Sequence, residues 1–142
     1  MSADPSRVEL LVSRDARLIA AVEAVVAHAS GRAGLSPQEQ AELRMATEGA
    51  CDMTFSRAAR NGTRNPLLRI VVSDFPGRVE VSIEESCGSP SSAAHGGSAS
   101  FPTAQPESGR TALEEVNIDL EGGQVRTVLV KHRSTANPRP HR

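Results

Sequence analysis

Ser36-Pro37-Gln38-Glu39-Gln40-Ala41-Glu42-Leu43-Arg44-Met45-Ala46-Thr47-Glu48-Gly49-Ala50-Cys51-Asp52-Met53-Thr54-Phe55-Ser56-Arg57-Ala58-Ala59-Arg60 is the stretch that decides the fold. It reads as one long helix. Ser36 and Glu39 have the S-x-x-E spacing of a capping box, and Pro37 sits at the first helical position, where a missing N–H costs nothing. Apolar Leu43, Ala46, Ala50 and Met53 recur at helical spacing and predict the stripe that faces a core. Asn61-Gly62 predicts the end of the helix, because both residues tolerate the left-handed conformation that a C-cap requires.

The segments on either side of this helix read in the same way. Val8 to Val12 is predicted as a strand. Asp15 is a suitable N-cap for a helix running to about Ser30, with Leu18, Val22, Val25, Val26 and Ala29 on one face. Gly31 to Leu35 reads as a loop. Leu67 to Asp74 and Val79 to Glu84 read as strands joined by Phe75-Pro76-Gly77-Arg78, and Pro followed by Gly suits a type II turn, hence a hairpin. Val116 to Leu120 and Gln124 to Lys131 read as a second strand pair around Glu121-Gly122-Gly123. The order strand, helix, helix, hairpin, long loop, hairpin predicts an α/β chain of the α+β two-layer sandwich kind, with helices on one face of an antiparallel or mixed sheet.

At 142 residues the chain is the length of one domain. Residues 6–131 are expected to form it, with a flexible loop at 87–109 and a disordered tail at 132–142. From Ser86 to Thr111 the chain is dominated by Gly, Ser, Pro, Ala and Thr, which cannot bury enough apolar surface to order the segment. Phe55, Phe75 and Phe101 are the only aromatic residues, so the core must be built from Leu, Val, Ile and Ala. The net charge of −1 supplies no field favouring nucleic acid or a membrane surface. The polar start of the chain and the shortness of the run Val8 to Val12 give no signal peptide or span, so a cytoplasmic location is expected. Cys51 and Cys87 are then expected to be free thiols, and neither has the spacing of a metal site.

The helix quoted above resembles the first motif helix of the bacterial anti-sigma regulatory factor family, serine kinases with a histidine-kinase-like (GHKL) ATPase fold. In that family the helix reads roughly L-R-x-A-V-x-E-A-x-x-N-A-x-x-H-A, with the Glu as general base and the Asn holding magnesium. Leu43-Arg44-Met45-Ala46 and Ala50-Cys51 match the apolar positions. The family Glu then falls on Gly49 and the family Asn on Met53. Glycine has no side chain, and a thioether is a poor ligand for a hard cation that prefers oxygen. Glu48 and Asp52 keep the Glu-x-x-x-(Asn/Asp) spacing one residue earlier, on a face turned by about 100°. They would reach the family position only if the helix were rotated. Otherwise they are solvated surface acids.

The other family motifs are weaker. The family strand ends in D-x-G-x-G, whose Asp reads adenine. Here Glu85 takes the Asp position and Cys87 the first Gly position. The family lid ends in G-x-G-L and a phosphate-binding helix. Here Gly109-Arg110-Thr111-Ala112-Leu113 keeps one Gly and one Leu, with room for about one helical turn before Val116. The resemblance covers roughly residues 6–131.

The resemblance thus implies a regulator that acts by protein–protein binding, with its nucleotide site largely lost and no cofactor expected. Its partner would be a sigma factor or an anti-sigma antagonist. A homodimer is also implied, because the family uses the first strand and helix for contacts, and Leu11 places an apolar residue on the second face of that strand. Two alternatives stand beside this reading. One is an active ATP-dependent serine-protein kinase, with Glu48 as base, Asp52 on magnesium, and Glu85 and Gly109 at the nucleotide. The other is an unrelated α/β interaction module. No G-x-S-x-G, H-E-x-x-H, Walker or C-x-x-C pattern occurs.

Overall fold

Two capped helices set the framework. Asp15 is the N-cap of α1 (Ala16–Ala33), its side chain accepting the Arg17 backbone N–H at 2.8 Å. Ser36 caps α2 (Pro37–Arg60) with both halves of the capping box: its Oγ accepts the Glu39 N–H at 3.1 Å, and Glu39 Oε1 accepts the Ser36 N–H at 2.8 Å. Between the helices Gly34 adopts φ +86°, and the Arg133 side chain lies 3.2 Å from where a Cβ would stand. The backbone angle therefore favours glycine here, whereas the exposed Arg133 side chain could shift to admit a Cβ.

The computed structural model describes residues 6–86, 113–120 and 124–134. Five strands accompany the helices: β1 (Ser6–Val12), β2 (Leu67–Phe75), β3 (Arg78–Ser86), β4 (Glu114–Asp119) and β5 (Val125–His132). They form one sheet in the order β1-β2-β3-β5-β4, and every pairing is antiparallel. The fold is therefore a two-layer α+β arrangement, with two helices on one face of an antiparallel sheet. The β2–β3 hairpin turns at Pro76-Gly77 as expected, with Gly77 at φ +78°. The β4–β5 pairing is also as expected, but the turn residues 121–123 lie outside the described residues. So does the loop expected at 87–109.

The register explains where the core sits. Cross-strand partners share a face, so Leu10, Ile70, Ile83 and Thr127 form one row across the sheet, and Val8, Val72, Val81 and Leu129 form the next. Ile70, Val72, Val81, Ile83 and Leu129 are fully buried beneath the helices. Leu43, Phe55, Val22 and Val26 meet them from above. On β4 the same rows end in Glu115 and Asn117, both exposed. The apolar layer thus stops at β5. The helices spread over β1, β2, β3 and β5, while β4 is contacted chiefly by β5.

The helix faces differ from the predicted stripes. On α2 Met53 is 59% exposed, and the buried face is Leu43, Thr47, Ala50, Cys51, Thr54, Phe55 and Ala58. The two threonines can be buried because each hydroxyl donates to the carbonyl four residues earlier, Thr47 to Leu43 and Thr54 to Ala50, both at 2.8 Å. On α1 Leu18 is 37% exposed, and Ser30 and Ala33 extend the buried face. That helix continues three residues past the expected Ser30, to its glycine cap.

The chain's later residues are better anchored than their composition suggests. β5 runs to His132. The Arg133 N–H then donates to Gly77 O at 2.7 Å, and the Ser134 N–H donates to Glu39 Oε2 at 2.8 Å. The tail expected from residue 132 is thus held through Ser134, and residues 135–142 lie outside the described residues. Two buried ionic groups fasten the same end of the sheet. Asp74 accepts the Ser6 N–H at 3.0 Å and the Arg32 Nε–H at 2.9 Å. Lys131, 3% exposed, pairs with Glu42 at 2.9 Å.

Candidate functional site

Glu48 and Asp52 are one helical turn apart on α2, so they project on one side of it. That side faces the first turns of α1. Together with Arg14, Asp15, Ile19, Glu23 and Phe55 they line a cleft of about 290 Å³ between the two helices. Asp15, Ile19 and Glu23 follow each other at four-residue spacing on α1, which gives that wall an acid–apolar–acid stripe. Phe55, 1% exposed, supplies an apolar floor. The Arg14 guanidinium lies 5.7 Å from the centre of the Phe55 ring, a cation–π contact at the mouth of the cleft.

The charge in this cleft is unevenly satisfied. Asp15 is committed locally. The Arg17 side chain, then the Arg17 backbone N–H, hold its carboxyl below the usual value. Glu23, Glu48 and Asp52 have no ion-pair or hydrogen-bond partner among the described residues. Their fields converge on Cys51, a free and buried thiol. Burial, followed by the charges of Asp52, Glu23 and Glu48, pushes Cys51 up to about 12 from its ordinary value of 9.0. Such a thiol stays protonated at neutral pH and is not a nucleophile.

The family motif positions fall elsewhere on α2. Gly49 is exposed, and a Cβ added to it would meet nothing within 4 Å. Met53 is on the same open side, with Met45, 67% exposed, one turn before Gly49. The open line Met45, Gly49, Met53 therefore carries no oxygen ligand and no base. A magnesium–nucleotide group does not fit these residues, because neither side chain can hold the cation or take a proton. A rotation bringing Glu48 and Asp52 to that line would carry Gly49 and Met53 into the core, and both are exposed.

The remaining candidates are separate from the cleft. Glu85 is near the end of β3, half-buried, opposite Leu68 of β2. Cys87 and Gly109 lie outside the described residues. Among the described residues no group of three or more His, Cys, Asp or Glu side chains is arranged to hold a metal ion. No helix among them is long and apolar enough to cross a membrane.

Sequence reasoning found Glu48 and Asp52 but missed their companions. Glu23 and Arg14 drew no attention, because each looks like an ordinary surface charge. The available signal was the recurrence of acids on one face of each of two consecutive helices, Asp15 and Glu23 two turns apart and Glu48 and Asp52 one turn apart. On helices joined by a tight turn, such stripes can face each other. A comparison with protein-family models gives no match to this chain, and a comparison with curated proteins gives none at a significant level.

Proposed function

We propose that this protein is a degenerate relative of the anti-sigma regulatory factors, with a histidine-kinase-like ATPase fold, acting by binding another protein. The order of elements supports the reading: a strand, two helices, a hairpin and a second hairpin, folded as helices on one face of an antiparallel sheet. The observation that carries the loss of chemistry is the open face of α2. By this reading Gly49 and Met53 take the positions of the base and the magnesium ligand, and both are accessible, with no group among the described residues within 4 Å of a Cβ at Gly49. By this reading the partner is a sigma factor or an anti-sigma antagonist.

The kinase alternative rests on Glu48 and Asp52, which do share a cleft. The cleft disfavours it. Asp15 and Glu23 add negative charge to the same walls, with Arg14 the one cation among the lining residues, so a triphosphate would meet net repulsion. The test is binding to a sigma factor and to an antagonist, by surface plasmon resonance, with and without ATP and magnesium. The proposal expects one of the two to bind with the same affinity in both conditions. Binding that requires the nucleotide, or phosphate transfer to a serine of the antagonist, contradicts it.

A further inference from the structure

At the corner of the fold where α1 passes into α2, one carboxylate ties two distant parts of the chain. Glu39, in the first turn of α2, is only 8% exposed. Its Oε1 accepts the Ser36 N–H at 2.8 Å and closes the capping box. Its Oε2 accepts the Ser134 N–H, also at 2.8 Å, just past the end of β5. Both bonds depend on one rotamer of one side chain, so each holds the geometry that the other needs. Three residues further along α2, Glu42 accepts from Lys131 Nζ at 2.9 Å, and Lys131 is itself buried. Glu39 and Glu42 are neighbours on one side of the helix, and they take the two ends of the segment 131–134.

The middle of that segment fastens the adjacent turns. The Arg133 N–H donates to Gly77 O at 2.7 Å, and the Gly77 N–H donates to Ala33 O at 3.2 Å. The β2–β3 turn thereby links the end of β5 to the end of α1. The Arg133 side chain also lies against Gly34, the residue that joins the helices. Without the Ser134 N–H, Glu39 Oε2 turns to water, and the side chain loses one of the two donors that fix its capping rotamer. The sheet has its own support, in the β2–β3 and β3–β5 ladders and the core beneath the helices.

We propose that residues 131–134 act as a strap whose docking sets the closure of the α1–α2 junction. Release of Ser134 from Glu39 loosens the first turn of α2 and the Gly34 connection together, and leaves the sheet intact. The coupling is reciprocal. Whatever draws the chain away after Ser134 opens the start of α2, and whatever holds the start of α2 keeps the strap in place.

The test is amide hydrogen exchange by NMR on the full chain, comparing wild type with Ser134→Pro and Ser134→Ala. Proline removes the donor N–H and keeps the preceding residue extended, whereas alanine retains the N–H. The proposal expects the Ser36, Glu39 and Gln40 amides to exchange about tenfold faster or more in Ser134→Pro, the factor carried by a hydrogen bond to a charged group. The same amides in Ser134→Ala, and those of Ile70 and Val81 in both variants, should match wild type. Glu39→Gln keeps a single acceptor oxygen for two donors, and should speed Ser36 and Ser134 together. Unchanged exchange at Ser36–Gln40 in Ser134→Pro overturns the proposal. So does an equal acceleration at Ile70 and Val81, which would mean that the domain opens only as a whole. An effect of Ser134→Ala as large as that of proline, or a Glu39→Gln variant that speeds only one of its two amides, overturns it as well.

Discussion

Gly49→Ala should make the protein more stable. Gly49 is in the middle of α2 and is absent from the glycines with positive φ, so its backbone is helical and alanine can adopt it. A Cβ there meets nothing within 4 Å, so it neither clashes nor gains burial. What remains is backbone entropy and helix propensity, worth about 0.5–1 kcal/mol in an exposed helix interior. For a chain of this size that corresponds to a rise in Tm of roughly 2–4 °C. Gly49→Glu should gain less, because the new carboxylate would crowd Asp52 three residues on. Thermal and urea unfolding check both, with the urea m-value expected to stay constant. A loss of stability for Gly49→Ala would refute the reasoning, since it would require something packed against that face. Gly49→Glu combined with Met53→Asn should still show no kinase activity, because two side chains on an open helix face do not make a phosphate site.

Cys51 makes stability depend on pH in a definite direction. Its thiol is pushed up to about 12 in the folded chain, against 9.0 ordinarily, so above pH 9 the unfolded chain loses a proton that the folded chain keeps. The contribution of this group is complete below pH 9 and falls by about 1.4 kcal/mol per pH unit between 9 and 12. Cys51→Ala removes that slope, so the stability gap between wild type and variant should close with rising pH. A gap that stays constant would contradict the assignment. Ser36→Ala breaks the capping box and should cost about 1 kcal/mol in urea unfolding; a change within error would show that the N-cap bond is not formed in solution.

The starts of the helices and the hairpin were legible because their signals are local. Asp15, Ser36-Pro37 with Glu39, and Pro76-Gly77 act on the backbone within a few residues of themselves. The buried face of α2 was less legible. Thr47 and Thr54 look polar in sequence, but their hydroxyls are satisfied within the helix, so their methyl groups can join the core. Met53 looks apolar, yet the position of α2 on the sheet turns it outward. That orientation is fixed by packing against α1, β3 and β5, which local periodicity does not contain. The cleft follows the same logic. Glu48 and Asp52 stood out by their spacing, whereas Glu23 acquired meaning only when the turn at Gly34 brought α1 alongside.

The proposal that this protein acts without nucleotide chemistry is tested most directly by calorimetric titration of the full chain with ATP and magnesium. The account predicts no saturable heat at ligand concentrations up to about 1 mM, corresponding to binding weaker than about −4 kcal/mol. Micromolar, magnesium-dependent binding that disappears in Asp52→Ala would contradict it, and would make the Glu48–Asp52 cleft the nucleotide site.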